Sequence, residues 1–142
     1  MQTKQRLIRF GVSLPSDLLS HFDRLIKNKG YSNRSEAVRD LMRETLVKRE
    51  WEAANREVAG AITLVYDHHQ RELVNHLTEI QHEFHRIIIS GQHIHLDHDN
   101  CLEVIVMKGR ASQVSGLAQK LRAVKGVKFG ELTMASTGCF LK

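Results

Sequence analysis

The chain has 142 residues, 42% of them hydrophobic and 26% charged, which is enough for one ordinary domain or two small ones. No apolar run approaches the length of a membrane span and the N-terminus lacks the apolar core of a signal peptide, so we expect a cytoplasmic protein, neither membrane-bound nor secreted. The formal net charge of +5 lies in residues 1–50, which hold eleven Lys and Arg against six Asp and Glu, whereas residues 51–142 hold ten of each. This asymmetry indicates a polyanion-binding module joined to a neutral domain with another task.

The basic module begins with a segment of alternating character, residues 7–14, which is typical of a β-strand with one buried face. The apolar face consists of Ile8, Phe10, Val12 and Leu14, and the other face carries Arg9, Gly11 and Ser13. Pro15 and Ser16 then predict a helix start with Ser16 as the cap, and apolar residues at helical spacing continue until Gly30. A second helix is predicted from Asn33, with Glu36 at capping-box spacing.

One strand and two short helices cannot fold alone, because a lone strand leaves its backbone unpaired and the helices bury little surface. Pairing the strand with its copy in a second chain solves both problems and turns Arg9, Gly11 and Ser13 outward from a two-stranded ribbon. Such a ribbon fits the major groove of double-stranded DNA, where Arg and Ser side chains can contact base edges. The segment resembles the ribbon-helix-helix class of DNA-binding proteins, most closely over residues 30–40. The resemblance implies that the backbone amides of Ser32, Asn33 and Arg34 clamp a DNA phosphate.

The rest of the chain predicts a second domain, of the α+β class. Strands are expected over residues 58–66 and 127–135, helices over 69–88 and 111–124, and a hairpin over 93–107. This βαββαβ order is the ferredoxin-like order, which ACT-type regulatory domains share. We therefore predict a ribbon-helix-helix domain over residues 1–50, a linker over 51–57, and a ferredoxin-like, ACT-type domain over 58–142.

Eight of the nine histidines lie between His68 and His98, and the densest part of that run ends at Cys101. In a strand, His93 and His95 project to the same side, and a polar turn at residues 97–100 would return Cys101 beside them. Imidazole and thiolate ligands suit zinc, copper, cobalt or nickel better than calcium or magnesium. A fourth ligand is missing from the hairpin, and spacing alone leaves open whether His82 or His85 supplies it, and from which chain. Single histidines elsewhere, such as His69, are more often solvated than bound to metal.

Taken jointly, these motifs resemble one family, the nickel-responsive ribbon-helix-helix transcriptional regulators, from Arg9 to Gly138. The resemblance implies one nickel(II) per chain in a square plane, bound by His93, His95 and Cys101 of one chain and His82 of another across the interface of a homotetramer. It also implies repression of nickel uptake. The alternative that the same DNA-binding arm senses cobalt, copper, zinc or a small molecule stays open.

The resemblance assigns further roles. His85 corresponds to a position of secondary metal binding, Glu103 to a residue that hydrogen-bonds near the ligands, and Glu36 and Asp40 to carboxylates that hold a second cation such as potassium. Arg71 corresponds to one of two basic residues that can contact DNA phosphates; its neighbour Gln70 is not basic. Gly11 lacks the side chain that some members carry there, so the operator sequence is expected to differ.

An enzyme is the rival class, since a zinc hydrolase could use two histidines and a cysteine with an open position for water. The chain has no HExxH motif, no deaminase-type motif and no evident general base beside the cluster. The sequence therefore predicts no enzyme. It predicts a metal-linked switch that favours one arrangement of the DNA-binding arms.

Overall fold

The computed structural model describes residues 6–141, which form two compact units divided between Met42 and Arg43. The first unit contains α1 (Ser16–Asn28) and the beginning of α2 (Arg34–Glu52). None of the helices among these residues is long and apolar enough to cross a membrane.

The two helix starts of the first unit differ in how they are capped. The predicted cap at Ser16 is wrong: Pro15 occupies the cap position in an extended conformation, and its carbonyl accepts the amide of Leu19 at 3.1 Å. The predicted cap of α2 is confirmed, because Asn33 Oδ1 accepts the backbone N–H of Glu36 at 2.9 Å. Gly30 has φ +81°, a conformation that glycine adopts readily, and follows the end of α1 as predicted.

Residues 6–15 have no regular secondary structure in the single chain, and their side chains are exposed. The apolar ones include Ile8, which is 80% exposed, and Phe10, which is 65% exposed. The predicted strand needs a second chain as its partner, and both the strand and the ribbon-helix-helix assignment stay predictions.

The second unit is the expected α+β domain. Its elements are β1 (Glu57–Asp67), α3 (Arg71–Glu83), β2 (Ile88–His95), β3 (Asn100–Arg110), α4 (Ala111–Arg122) and β4 (Val127–Met134). They give the predicted βαββαβ order, and the four strands form one antiparallel sheet in the order β2-β3-β1-β4.

The core lies between one face of this sheet and the two helices. β1 supplies Val58, Ile62 and Leu64, and both helices bury their apolar faces against it. α3 is shorter than the predicted helix over 69–88: it ends at Glu83, and β2 begins at Ile88. The residues at the end of the predicted helix pair with the sheet instead: the carbonyl of Ile87 accepts the amide of Lys108 at 2.8 Å.

Candidate metal centre

The β2–β3 hairpin sets the predicted ligands in two rows across the sheet. His95 lies opposite Cys101, and His93 lies opposite Glu103. Residues directly opposite each other in an antiparallel pair project from the same face of the sheet. On the other side of β3, Cys101 lies opposite Tyr66 of β1, so one row runs His95, Cys101, Tyr66.

Cys101 is fully buried and carries a free thiol. Its Sγ donates to the backbone carbonyl of Tyr66 at 3.5 Å. Burial raises the pKa of the Cys101 thiol above its ordinary value, because desolvation disfavours the thiolate. The group is therefore a thiol at neutral pH, and a metal ion that bound its sulfur would displace a proton.

A hydrogen-bonded network adjoins the two rows, centred on the Glu103 carboxylate. The Tyr66 hydroxyl donates to Glu103 Oε2 at 2.5 Å, and Gln81 Nε2 donates to Glu103 Oε1 at 3.1 Å. The same hydroxyl lies 3.5 Å from His93 Nδ1. Burial, followed by the hydrogen bond to Glu103, raises the pKa of Tyr66, so this hydroxyl keeps its proton at neutral pH. Tyr66 is not among the residues predicted from the sequence, although the alternation of β1 places it on the buried face, where a tyrosine hydroxyl needs a partner.

The candidate fourth ligands lie at the C-terminal end of α3. His82 is exposed in the last turn of the helix, and His85 lies in the turn after it, with its Nδ1 bonded to the carbonyl of His82 at 2.9 Å. His85 therefore lies beyond the end of the helix, although the sequence predicts one helix over 69–88 that includes both histidines. Within the described part of this single chain, the His82 side chain makes no hydrogen bond or ring contact with His93 or His95.

Five histidine rings form a chain along the edge of this site. The distances between ring centroids are 5.2 Å for His93 to His95, 4.6 Å for His95 to His68, 4.3 Å for His68 to His69 and 5.0 Å for His69 to His98. His68 Nδ1 is buried without a hydrogen-bond partner. Burial and the neighbouring His69 and His95 lower the pKa of His68, which keeps that ring neutral.

The donor types at the centre fit nickel(II), since two imidazoles and a thiol on one face are ligands that borderline divalent metals prefer. Within one chain, however, the ligand atoms of His93, His95 and Cys101 do not all lie within 4.8 Å of one another. Among residues 6–141, the group of three possible metal ligands whose ligand atoms all lie within 4.8 Å of one another is His69, His98 and Asp99. His93, His95 and Cys101 therefore share a face and adjacent rows, and the two rings would have to turn for all three to bind one ion.

The predicted DNA-contacting residues are all exposed. Arg9, Gly11 and Ser13 lie in the segment before α1, and Arg71 is the first residue of α3. Ser32 and Asn33 precede α2, whose first residue, Arg34, makes two hydrogen bonds of 2.7 Å to the Asp23 carboxylate.

The two carboxylates predicted for a second cation lie one turn apart on α2. Glu36 accepts the hydroxyl of Ser32 at 3.1 Å, and Asp40 accepts the hydroxyl of Tyr31 at 3.0 Å. Each carboxylate thus has a partner within its own unit.

Residues 59–135 match the family described as the NikR C terminal nickel binding domain. A protein of Syntrophus aciditrophicus named "Putative nickel-responsive regulator" is 55% identical over 132 residues, covering 93% of this chain and 96% of its own. A protein of the same name from Nitratidesulfovibrio vulgaris strain DP4 is 59% identical over 133 residues, covering 94% and 96%. In fold, the chain is similar to the uncharacterized protein TM1266 from Thermotoga maritima, with a TM-score of 0.50 and 17% identity over 54% of this chain and 95% of that one.

Proposed function

We propose, because the chain belongs to the NikR family of nickel-responsive regulators, that it is a transcriptional regulator which binds operator DNA when nickel(II) occupies a site of three histidines and one cysteine. The observation that carries this proposal is the register of β2 on β3, which puts His93 and His95 on the same face as Cys101. Relatives of this chain are named as regulators and not as enzymes, and the proposed role is repression of nickel uptake in the cytoplasm.

The proposed ligands are His93, His95 and Cys101 of one chain and His82 of another, with one nickel ion per chain in a square plane. When bound, the ion serves as a cross-link between ligands of two subunits. The exposed position of His82 in the last turn of α3 supports its use by a second chain. Full coordination then requires that two metal-binding domains dock, and this requirement links metal supply to a tetramer made of two dimers.

The proposed DNA-binding surface is a two-stranded ribbon formed by residues 7–14 of two chains. The exposure of the apolar face of this segment in a single chain supports such pairing, because unpaired side chains like Phe10 would otherwise remain in water. Arg9 and Ser13 would contact base edges, with Gly11 between them, and the amides of residues 32–34 would hold a phosphate. Arg71 would add a phosphate contact.

Coupling between nickel binding and DNA binding would arise because nickel binds the DNA-binding arrangement of the protein more tightly than other arrangements. A ligand favours the DNA-binding arrangement only to the extent that it binds that arrangement more tightly, and a 100-fold effect on DNA affinity needs about 2.7 kcal/mol of coupling. Glu36 and Asp40 would contribute through a second cation, such as potassium, that fixes the start of α2.

A selection of random-sequence DNA duplexes by the full chain, with and without one equivalent of nickel(II), tests the function. The selected duplex is then titrated at fixed salt by fluorescence anisotropy. We expect nickel to tighten binding about 100-fold, Arg9→Ala to abolish it, and the matched control Arg24→Ala, on α1, to leave it intact.

Three results would overturn the proposal. A selection that enriches no duplex would remove DNA as the partner. Equal affinity for the selected duplex with and without nickel would exclude nickel as the effector. Tighter DNA binding with cobalt, copper or zinc, but not with nickel, would assign the DNA-binding arm to another metal.

A further inference from the structure

The residue immediately before Cys101 is held by a side chain from the far edge of the sheet. Lys128 Nζ donates to Asn100 Oδ1 at 2.6 Å. Lys128 belongs to β4 and Asn100 is the first residue of β3, and β1 lies between these two strands. An edge strand thus fixes the point at which the chain enters the row of His95, Cys101 and Tyr66.

The position of Lys128 in β4 is irregular. Tyr66 of β1 lies opposite Val127 and the preceding Val65 lies opposite Phe129, so Lys128 has no opposite residue and the pairing is interrupted as in a β-bulge. The extra residue of a bulge leaves the alternation of its strand, and its side chain takes a direction that a regular strand does not allow. Bulges occur often beside functional sites, where they redirect a side chain. The irregular pairing therefore distinguishes Lys128 from the other residues of β4.

The Asn100 side chain links this lysine to the turn between β2 and β3. Its Nδ2 donates to both carboxylate oxygens of Asp97, at 3.0 Å each. An ammonium only donates hydrogen bonds and a carboxylate only accepts them, so Lys128 and Asp97 together fix the orientation of the Asn100 amide. The backbone of Asn100 closes the same turn, because its carbonyl accepts the amides of Leu96 and Asp97 at 2.9 and 3.3 Å.

The charge of Lys128 acts on two carboxylates that hold the backbone near this turn. Asp97 Oδ1 accepts the amide of Asn100 at 2.7 Å, and Asp67 Oδ1 accepts the amide of His69 at 2.8 Å. Hydrogen bonds, first those from the Asn100 side chain, lower the pKa of Asp97, and the charge of Lys128 lowers it further. The hydrogen bond from His69 and the charge of Lys128 likewise lower the pKa of Asp67. One ammonium therefore favours the ionised form of both anchoring carboxylates.

We propose that Lys128 is a positioning residue for nickel binding, which holds the β2–β3 turn closed through Asn100 and keeps Cys101 in its row. The inference rests on the proposed function, in which Cys101 is a nickel ligand. A ligand whose backbone is already fixed loses little conformational freedom on binding, so the closed turn raises metal affinity. Cys101 is fully buried, so any reagent that modifies its sulfur must wait for a local opening of the hairpin.

Two measurements on the full chain test this role. They are made in a Cys139→Ala background, which leaves Cys101 as the one cysteine. The rate at which a thiol reagent labels Cys101 without metal measures the opening of the turn, and competition with a chelator measures nickel affinity. Lys128→Met keeps the aliphatic stem and removes the ammonium. We expect it to label about 3- to 10-fold faster and to bind nickel about 3- to 10-fold more weakly, as for the loss of one hydrogen bond.

Two further variants separate a positioning role from general stabilisation. Lys128→Arg should restore both measurements, because a guanidinium can donate to the same Asn100 oxygen. Lys108→Met removes another lysine of the sheet, which pairs with Glu57 of the neighbouring strand at 3.2 Å, and should change neither measurement. The equilibrium constant for unfolding of each variant, measured in denaturant, gives the share of the labelling that global unfolding explains.

The proposal is overturned if Lys128→Met labels and binds nickel as the background chain does, or if its labelling rises only as much as its unfolding constant. Equal effects of Lys108→Met, or faster labelling with unchanged nickel affinity, would also overturn it. The labelling needs no metal, so it separates this result from the proposed function. If nickel binds without a thiolate band, the Cys101 site falls, whereas faster labelling of Lys128→Met and its reversal in Lys128→Arg would still establish that Lys128 holds the turn.

Discussion

At the scale of single residues, the site depends on side chains that hold the ligands as well as on the ligands. Tyr66 and Gln81 both donate to the Glu103 carboxylate, and the Tyr66 hydroxyl also approaches His93. Hydrogen-bonding partners of this kind fix the orientation of ligating rings and commonly matter to metal affinity. The spacing of His93, His95 and Cys101 correctly predicted that the three side chains project from one face of the hairpin. The Tyr66 contact could not be predicted, because it depends on the register between β1 and β3.

Tyr66→Phe should weaken nickel binding about 10- to 100-fold, since it removes one of the two donors to Glu103 and the contact with His93. The measurement is competition with a chelator of known affinity. Tyr31→Phe, which removes another tyrosine hydroxyl bonded to a carboxylate, should leave nickel affinity unchanged. Equal affinity of Tyr66→Phe and the wild type would show that the network does not position a ligand.

Nickel affinity should fall as the pH falls. Burial raises the pKa of Cys101, so at neutral pH the folded chain holds a thiol, and nickel must displace its proton. One released proton makes the apparent association constant rise about tenfold per pH unit below the thiol pKa. Calorimetry in buffers of different ionisation enthalpy counts this proton. A pH-independent affinity between pH 7 and 8.5 would contradict a Cys101–nickel bond.

At the scale of elements, the identity and order of the six helices and strands of the second unit followed from periodicity, but the end of α3 did not. Apolar residues continue at helical spacing from Leu77 and Ile80 through Phe84 and Ile87, so the pattern contains no stop, although the structure ends the helix at Glu83. Sheet pairing of the following residues overrides the helical pattern there.

Gly130→Ala should destabilise the domain by about 1–3 kcal/mol, because an added Cβ would lie 2.5 Å from the Cβ of Arg122 on α4 and 3.3 Å from its Cα. Gly116→Ala is the matched control within α4, where an added Cβ meets nothing within 4 Å, and it should stabilise by about 0.5–1 kcal/mol. Denaturant unfolding measures both. A Gly130→Ala variant as stable as the wild type would mean that α4 packs less closely on β4.

At the scale of the whole molecule, the described part of the chain leaves apolar side chains exposed in both of its units. Residues 7–14 expose their apolar face, and the sheet face away from the helices exposes Phe129 at 51% and Ile94 at 40%. The charge asymmetry predicted two modules, and the predicted boundary at residue 50 stays a prediction, because α2 runs without a break from Arg34 to Glu52. Periodicity alone cannot predict which surfaces contact a partner chain, since exposed residues and interface residues follow the same pattern.

The full chain should sediment as a tetramer of 16.3 kDa subunits, because the exposed apolar residues of segment 7–14 and of the open sheet face would serve as the two contacts of a dimer of dimers. Sedimentation velocity at micromolar concentration measures this mass, with and without nickel. A monomer under both conditions would contradict the shared ligand set, since His82 could not then reach a site in another chain.

The most direct test of the central claim is an anaerobic absorption titration of the reduced chain with nickel(II), carried out on the wild type, Cys101→Ala and Cys139→Ala. Cys139 is the exposed one of the two free cysteines and serves as the matched control. We predict a thiolate charge-transfer band that saturates at one ion per chain in the wild type and Cys139→Ala and is missing in Cys101→Ala. A band that persists without Cys101, or that disappears with Cys139, would contradict the assignment of the nickel site to the β2–β3 hairpin.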